Sequence, residues 1–362
     1  FADVNSWVNA KIGVPEFSEA ETLVAWFVNN SNLSDADKAT IMNNLIMFGT
    51  ADDTAKAYFA GQIDVAATWE PYLTQAKTYT NSTVVFDTKS SSSLVMDGIV
   101  FDADWAAAHE DTVKKFVKGI LMSYDQPINY DAAREVFPMY STSSDADIDA
   151  TYANAKMASW KDNYNILNDT APMIYNQMCD IWEALGETVN RGLVDTIFDT
   201  TYIDALKGDF KSTSAANATT KVTVSDETRA NITQQVTGNL DYDSMLSKTA
   251  NVTFVPDSSV FTDQASAASV LDDFVNIAKT LDGTMIVING NINADTQTDF
   301  GIQLSANRAQ TVANYLASQG IDQNRLIITG SGNAKYQADK AAGALKSDAS
   351  VYQSTDISFM RI

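Results

Sequence analysis

The sequence predicts an α/β protein with two folded domains and a polar linker between them, and three observations support this. Apolar segments of strand length alternate with amphipathic segments of helix length from residue 11 to 68, and the alternation returns from residue 251 onward. Residues 211–250 are rich in small polar side chains. A chain of 362 residues exceeds what one hydrophobic core usually supports. We therefore divide the chain into residues 1–210, 211–250 and 251–362.

The first region begins as an α/β unit and continues as helices. Short apolar runs predict strands, and runs with apolar residues three or four positions apart predict helices. Strands that alternate with helices usually form a mainly parallel sheet. The predicted strands cover residues 11–15, 45–48, 64–68, 84–87 and 94–101. The predicted helices cover residues 19–30, 53–61, 113–124, 131–137, 148–160 and 171–185.

The C-terminal region has a more regular pattern. Residues 212–220 are small and polar and predict a linker, while residues 221–225 alternate in polarity and predict an additional strand. Beyond residue 250 the order is βαβαβ, followed by one more helix and one more strand. The predicted strands cover residues 251–255, 284–290, 326–330 and 355–362, and the helices cover 265–281, 302–320 and 336–345.

Composition and charge exclude several classes of function. With 45% apolar residues and no run of about 20 apolar residues, the chain is expected to fold without an integral membrane segment. The net charge is −22, and only 11 of the 46 acidic and 7 of the 24 basic residues lie after residue 250. An acidic surface repels phosphate backbones and anionic headgroups. We therefore expect no nucleic-acid partner. The N-terminus, which begins Phe1-Ala-Asp-Val, shows no secretory signal peptide.

Histidine and cysteine are too scarce for most metal or catalytic sites. The single cysteine, Cys179, cannot form an internal disulfide, and its apolar neighbours predict a buried helix face. The single histidine, His109, lies at a predicted helix start and is the only residue on which a histidine-dependent triad could be built. The sequence therefore predicts no metal site, no cofactor and no enzymatic activity.

A motif in the C-terminal region carries a family resemblance. A strand ending at Asn293 is followed by a helix with Leu304-Ser305, Arg308-Ala309 and Tyr315-Leu316, then by Gly320-Ile321 and by Gly330-Ser331-Gly332. Over roughly 110 residues this pattern resembles the OmpA-like, peptidoglycan-binding family. The resemblance implies a βαβαβ domain of the α+β type in a protein of the bacterial cell envelope.

The resemblance also implies a binding site for the diaminopimelate of the peptidoglycan stem. Arg308 stands at the family's arginine position, where a guanidinium fork suits a carboxylate. The family's aspartate position, which suits the ammonium group, is occupied by Asn293, and Asp295 is the nearest substitute. The alternative for Arg308 is a surface salt bridge, and the alternative for Asn293 is a turn residue. A second departure precedes the last strand, where Tyr352-Gln353-Ser354 replaces the family's usual Asn-Arg-Arg.

A second resemblance lies in the N-terminal region. A helix, the turn Gly61-Gln62-Ile63-Asp64, an Ala-rich strand and Trp69-Glu70-Pro71-Tyr72 follow one another. They resemble periplasmic solute-binding proteins of the nitrate, taurine and alkanesulfonate type. The implied fold is a type II periplasmic-binding-protein-like α/β domain. Its first lobe is incomplete, because only ten residues precede the strand at residue 11, where the family has roughly 90 residues.

That resemblance implies a ligand cleft at strand ends and helix starts. Its candidate liners are Thr68, Trp69 and Glu70 after one strand, and Ser18 and Glu19 after another. Each has an ordinary structural alternative: Trp69 as a core aromatic residue, Glu70 as a helix-start carboxylate and Glu19 as an exposed first-turn residue.

Together, the resemblances predict a non-catalytic, extracytoplasmic solute-binding-like protein associated with the cell wall. Its expected partners are peptidoglycan, a small solute and an ABC permease. A structural envelope or surface-assembly protein that uses both folds as scaffold is the alternative. A pyrimidine-synthase branch of the solute-binding fold is a third class, but that branch depends on histidine and a cysteine-rich motif that this sequence lacks.

Overall fold

The computed structural model describes residues 1–362 except 2, 71, 80, 154 and 211–223. The described residues form two compact units. Unit 1 consists of Phe1–Leu94, Ile181–Glu187 and the described residues from 224 to 362, and unit 2 of Val95–Asp180 and the described residues from 188 to 210. The predicted divisions at residues 210 and 250 stay predictions, but residues 1–94 share a unit with the C-terminal region.

The N-terminal part of unit 1 is a small parallel α/β assembly. Its strands and helices are β1 (Ile12–Pro15), α1 (Glu19–Asn29), α2 (Asp35–Asn43), β2 (Ile46–Phe48), α3 (Ala51–Phe59), β3 (Val65–Ala66) and α4 (Tyr72–Ala76). The sheet order is β2-β1-β3, and both pairings are parallel. The central strand is buried on both faces, because all four of its residues, Ile12–Pro15, are buried. The three strands predicted in this part are therefore confirmed.

The predicted strands at residues 84–87 and 94–101 are wrong. Within the described residues, neither segment belongs to a sheet. Between them, polar groups of the serine-rich stretch are bonded to the C-terminal region. Ser91 Oγ donates to the carbonyl oxygen of Thr280 at 2.5 Å, and the Gly283 amide donates to the Ser90 carbonyl oxygen at 3.1 Å. The apolar runs on either side of these serines therefore pair with no strand, and their apolar content alone did not reveal this.

The C-terminal part of unit 1 is a four-stranded mixed sheet with helices. Its elements are α13 (Asp226–Val236), β4 (Leu246–Ala250), α14 (Gln264–Thr280), β5 (Thr284–Asn291), α15 (Asp299–Ser318), β6 (Leu326–Gly332), α16 (Ala334–Ala341) and β7 (Thr355–Arg361). The sheet order is β4-β7-β5-β6; β5 and β6 are parallel, and β7 is antiparallel to both β4 and β5. The predicted element order is confirmed.

Two differences concern the beginning of this part. The first strand covers Leu246–Ala250 and not residues 251–255, because residues 246–250 pair with β7 and Phe254 only bridges to Phe261. The interval predicted as linker, residues 211–250, therefore contains α13 and β4 among its described residues. The linker prediction for residues 212–220 and most of the strand prediction for 221–225 lie outside the described residues.

Helix α15 packs closely on the sheet at two glycines. A Cβ atom on Gly290 would lie 1.9 Å from the carbonyl oxygen of Ser305, and one on Gly330 would lie 2.5 Å from the Ala306 amide nitrogen. Part of the opposite face is covered by α13, whose Ile232 and Val236 pack with apolar side chains of three strands, namely Met285, Val287, Ile327 and Met360. These contacts fix the position of α15, which carries the candidate arginine.

A buried arginine closes the C-terminal end of α14. Arg325 is 8% exposed and donates three hydrogen bonds to carbonyl oxygens: Nε to Thr284 at 2.8 Å, Nη1 to Ala278 at 2.9 Å and Nη2 to Leu281 at 2.6 Å. Burial lowers the pKa of Arg325 to about 10. The last carbonyl groups of a helix lack intrahelical donors, so this side chain completes the helix end.

Unit 2 is helical. The α-helices in the described residues from 95 to 210 are α5 (Ala103–Ala108), α6 (Glu110–Ser123), α7 (Tyr130–Val136), α8 (Asp145–Ala153), α9 (Trp160–Asn165), α10 (Ala171–Ala184), α11 (Val194–Ile197) and α12 (Thr201–Ala205). Leu121, Trp160, Ile203, Leu206 and Phe210 form the main buried cluster of unit 2. The predicted helix at 148–160 is interrupted, since α8 ends at Ala153 and α9 starts at Trp160 behind a Ser159 capping box. The described residues of unit 2 contain no strand and supply no sheet of a first lobe.

None of the helices in the described part of the chain has the length and apolarity needed to span a membrane.

Candidate functional site

Arg308 lies on the buried face of α15. The helix begins behind Thr298, whose Oγ1 accepts a hydrogen bond from the Gly301 amide at 3.0 Å. Leu304, Ala309 and Val312 recur at helix spacing and are 9%, 0% and 0% exposed. Arg308 shares this face and is only 5% exposed. The predicted alternative of a salt bridge on the helix surface does not fit that burial.

The guanidinium of Arg308 contacts the neighbouring turn through a hydrogen bond and an aromatic ring. Its Nε donates to the carbonyl oxygen of Ser258 at 3.0 Å, and its Cζ lies 5.0 Å from the centre of the Phe254 ring. Within the part of the chain that the structure describes, its two Nη nitrogens have neither a hydrogen bond nor an ion pair. Burial lowers the pKa of Arg308, and the negative charge of Asp257 opposes that effect. The four N–H groups of the two Nη nitrogens are therefore without a partner in the described residues.

The turn that contacts Arg308 is itself well defined. Phe254 and Phe261 bridge in antiparallel fashion with ring centres 5.1 Å apart, and the Val255 amide donates to the Val260 carbonyl oxygen at 2.9 Å. Asp257 lies at the tip with a φ of 53°. One helical turn beyond Arg308, Thr311 Oγ1 donates to the Ser259 carbonyl oxygen at 2.9 Å. The turn is thus fastened to α15 at two points.

The other two predicted peptidoglycan-binding residues lie in the segment after β5. Asn293 is half-buried, and its side chain makes no hydrogen bond to the described residues. Asp295 is exposed and faces α16: its Oδ1 accepts from Tyr336 Oη at 3.0 Å and lies 3.4 Å from Lys340 Nζ. These contacts lower the pKa of Asp295, with the Tyr336 hydrogen bond first. Among the described residues, no hydrogen bond or ion pair joins Arg308 to Asn293 or to Asp295.

The segment after β5 is held against the end of β6. Asn333 Nδ2 donates to the Ala294 carbonyl oxygen at 2.7 Å, and the Asn333 amide donates to Gln297 Oε1 at 2.8 Å. The Gly332 amide, at a φ of 56°, donates to Ser305 Oγ at 2.9 Å. The backbone around Asn293 is therefore positioned by contacts to neighbouring elements.

Sequence reasoning missed a polar network on one face of the sheet. Asn291 Nδ2 donates to Asp356 Oδ2 at 2.9 Å, and Lys335 Nζ donates to the same oxygen at 3.0 Å. Asn289 Oδ1 accepts from Ser331 Oγ at 2.7 Å. The signal was the polar residue at every second position near each strand end, which the overall apolar character of the strands obscured. This network ties the ends of β5, β6 and β7 together beside α16.

The predicted solute-binding residues after β1 have local structural roles. Ser18 caps α1, with its Oγ accepting from the Glu21 amide at 3.3 Å and donating to the Pro15 carbonyl oxygen at 2.6 Å. Glu19 is exposed in the first turn of α1. Phe17, between β1 and this cap, is 93% exposed at a φ of 52°.

The three predicted solute-binding residues after β3 have different contacts. Thr68 Oγ1 donates to the Ala51 carbonyl oxygen at 3.3 Å. Glu70 accepts from both the amide and the Oγ1 of Thr74, each at 3.0 Å, as expected for a carboxylate at a helix start. Trp69 is 43% exposed and is not a core residue. The next residue of the motif, Pro71, lies outside the described residues.

The single cysteine and the single histidine both make contacts that support the local structure. Cys179 is 4% exposed, in agreement with the predicted buried helix face. A ring nitrogen of His109 lies 2.8 Å from the Trp105 carbonyl oxygen, and the two rings stack with centres 4.5 Å apart. Within the described ranges, no group of three or more His, Cys, Asp or Glu residues could hold a metal ion.

Comparison with known proteins identifies the region that contains Arg308. Residues 253–349 match the OmpA family. The C-terminal part of the chain is an OmpA-like domain. This confirms the first resemblance seen in the sequence, and the expected fold of that region with it. The solute-binding resemblance receives no support from the comparisons, and a type II periplasmic-binding-protein-like lobe is not established.

Several solved structures are similar to part of the chain. An outer membrane protein from Borrelia burgdorferi B31 is 18% identical, with 32% of this chain and 88% of that chain covered and a TM-score of 0.25. The periplasmic domain of Helicobacter pylori MotB (residues 78–256) is 16% identical, with 32% and 74% covered and a TM-score of 0.25. The peptidoglycan-associated lipoprotein from Burkholderia pseudomallei is 21% identical, with 30% and 86% covered and a TM-score of 0.24. No curated protein matches the chain.

Proposed function

We propose that the OmpA-like domain binds the peptide stem of peptidoglycan and holds this chain at the cell wall, outside the cytoplasm, as a binding protein without catalytic activity. The observation that carries the proposal is the arginine at position 308. It lies within the family match, is almost fully buried, and keeps two donor nitrogens without a partner in the described residues.

The chemistry of that arginine suits a carboxylate ligand. A guanidinium presents parallel N–H donors that match the two oxygens of a carboxylate, and such charged pairs are roughly twice as strong as neutral hydrogen bonds. A buried cation without a ligand is costly, so an anion that completes its hydrogen bonds gains more here than at an exposed site. The diaminopimelate end of a peptidoglycan stem carries such a carboxylate.

The site is also arranged before any ligand arrives. Ser258 holds Nε at 3.0 Å and Phe254 lies against the guanidinium, so the direction of the two Nη nitrogens is fixed by the turn and by α15. An immobile side chain loses little conformational entropy on binding. This favours a binding role for Arg308 over a purely structural one.

Co-sedimentation of the full chain with purified peptidoglycan sacculi tests the proposal. Arg308→Ala is expected to abolish sedimentation above background, and Arg308→Lys to weaken it, because lysine keeps the charge but loses the fork. Lys279→Ala is the matched control, since it removes one exposed positive charge from the end of α14 without touching the turn at Phe254. Sedimentation of the unmodified chain at background level would overturn the proposal.

A second candidate function, the binding of a small anionic solute for delivery to an ABC permease, is favoured by two aromatic residues. Phe17 and Trp69 follow the parallel strands β1 and β3 and are 93% and 43% exposed. Ligands of open parallel sheets bind beyond the carboxyl ends of the strands. A thermal-shift screen of nitrate, sulfate and alkanesulfonates tests this candidate: a ligand at 100 times its dissociation constant adds about 2.7 kcal/mol of stability. No shift in the unmodified chain, or the same shift in Trp69→Ala, would count against it.

A further inference from the structure

We propose that Asp257, and not Asn293 or Asp295, supplies the negative charge that binds the ammonium group of the stem peptide beside Arg308. This assignment rests on the proposed peptidoglycan binding and names the second charged residue of that site. It places the ammonium partner on the turn between Phe254 and Phe261 and not in the segment after β5.

Neither of the two residues expected from the sequence offers a charge without a protein partner. Asn293 is neutral, so it offers an amide oxygen without the charge that strengthens a hydrogen bond to an ammonium group. Asp295 is charged, but its Oδ1 is bonded to Tyr336 Oη at 3.0 Å and paired with Lys340 Nζ at 3.4 Å. An ammonium ligand would have to compete with a lysine that is already in place.

Asp257 lies on the turn that contacts Arg308. It directly precedes Ser258, whose carbonyl oxygen holds Arg308 Nε at 3.0 Å, and its charge acts on the guanidinium. No hydrogen bond or ion pair occupies its carboxylate within the described residues, and the side chain is exposed. A free carboxylate and two free guanidinium nitrogens thus flank the same turn.

Asp257 and Arg308 form no direct ion pair in the described residues, although they are near neighbours. An amino-acid zwitterion has a carboxylate and an ammonium on one carbon atom, and it can satisfy both groups at once. The ligand class is therefore a free amino-acid end, and a carboxylate without an adjacent ammonium group would use only half of the site.

The backbone around Asp257 is held in a defined conformation, and this fixes where the side chain starts. Its φ of 53° lies in the left-handed region, which is uncommon for a residue other than glycine, although aspartate tolerates it better than most. The turn is held by the bond between Val255 and Val260 and by the bond from Thr311 Oγ1 to the Ser259 carbonyl oxygen. The carboxylate therefore projects from a fixed backbone.

Titration calorimetry with two soluble probes tests the assignment. One probe is a disaccharide tripeptide ending in meso-diaminopimelate; the other is the same compound with the terminal amine acetylated. Asp257→Asn is expected to weaken binding of the first probe about tenfold and to leave binding of the second within about twofold. Asp295→Asn, the matched control, is expected to change neither by more than about threefold. Unchanged thermal unfolding of the Asp257→Asn protein shows that the fold is retained.

The outcomes separate this assignment from the proposed function. Binding of the first probe that is unaffected by Asp257→Asn, or weakened equally for both probes, overturns the role of Asp257 and leaves the peptidoglycan proposal in place. Binding that Asp295→Asn weakens more than Asp257→Asn returns the role to Asp295. Failure of the unmodified chain to bind either probe overturns both the assignment and the proposed function.

Discussion

Asp282 accepts two hydrogen bonds from Ser92, a residue 190 positions earlier in the chain. The Ser92 amide donates to Oδ1 at 2.7 Å, and the Ser92 hydroxyl donates to Oδ2. The neighbouring Gly283 has room only for hydrogen, because a Cβ atom there would lie 2.5 Å from the Lys89 carbonyl oxygen. The OmpA-like domain is thus not an isolated module: a serine-rich segment from the N-terminal region is bound to the turn between α14 and β5.

We therefore expect Asp282→Ala to destabilise unit 1. The change removes a charged acceptor and leaves the Ser92 amide without its partner, which corresponds to a loss of roughly 2 kcal/mol. Urea unfolding followed by circular dichroism measures the free energy. Asp273→Ala is the control, because Asp273 is exposed on α14 away from this contact. Equal stabilities of the two variants would contradict a stabilising role of the Ser92–Asp282 contact.

A glycine-to-alanine substitution is expected to change the free energy of unfolding in opposite directions at two positions, one where α15 approaches the sheet and one inside α6. At Gly290 a Cβ atom would meet the Ser305 carbonyl oxygen at 1.9 Å, so Gly290→Ala forces the backbones apart and is expected to destabilise by about 3 kcal/mol. Gly119 lies inside α6 with nothing within 4 Å of its Cβ position, so Gly119→Ala is expected to stabilise by about 0.5–1 kcal/mol. Thermal and urea unfolding of both variants check the signs. A neutral Gly290→Ala would show that α15 lies further from β5 than described.

The contacts of Asp295 with α16 predict an acid-sensitive attachment. Hydrogen bonds from Tyr336 and Lys340 lower the pKa of the Asp295 carboxyl below its ordinary value of 3.8. A carboxyl group whose pKa is depressed in the folded state contributes stability that is complete above pH 3.8 and is lost as pH falls through the folded value. Carbon-detected NMR titration should place the midpoint below 3.8, and Tyr336→Phe should raise it. A midpoint at 3.8 or above in the unmodified protein would show that the contacts are absent in solution.

The sequence predicted the C-terminal fold well, because its periodic pattern and its packing agree. Strands β5, β6 and β7 and helices α14 and α15 lie within a few residues of the predicted positions. The exception, β4, was placed five residues late, because the polar residues Ser247, Lys248 and Thr249 hide a strand that only its pairing with β7 reveals. Arg308 was found from its motif, but its bond to Ser258, 50 residues earlier, has no local signature.

The N-terminal region was less predictable for a physical reason. Strands β1, β2 and β3 are short apolar runs and were recognised from that pattern, although β1 is buried, β3 is half-buried and β2 is largely exposed. The runs at residues 84–87 and 94–101 have the same composition, yet they join no sheet in the described residues. Whether an apolar run becomes a strand depends on a neighbouring strand edge, and a single segment does not reveal its neighbours. The division into compact units, with residues 1–94 beside the C-terminal region, likewise depends on contacts such as Ser91 to Thr280.

Restoring the family's charge at position 293 tests whether the segment after β5 takes part in the proposed peptidoglycan site. Asn293 is half-buried and makes no side-chain hydrogen bond to the described residues, so Asn293→Asp should be tolerated by the fold. A carboxylate there adds a charged acceptor for the ammonium group, and we expect sacculus binding to strengthen about tenfold. In the Asp257→Asn background the same change should restore the binding that was lost, because one negative charge replaces the other. Asn293→Gln, which keeps a neutral amide, is the control and should not strengthen binding. Unchanged affinity in Asn293→Asp would mean that the segment after β5 does not face the ligand, and the site would then consist of Arg308 and the turn around Asp257 alone.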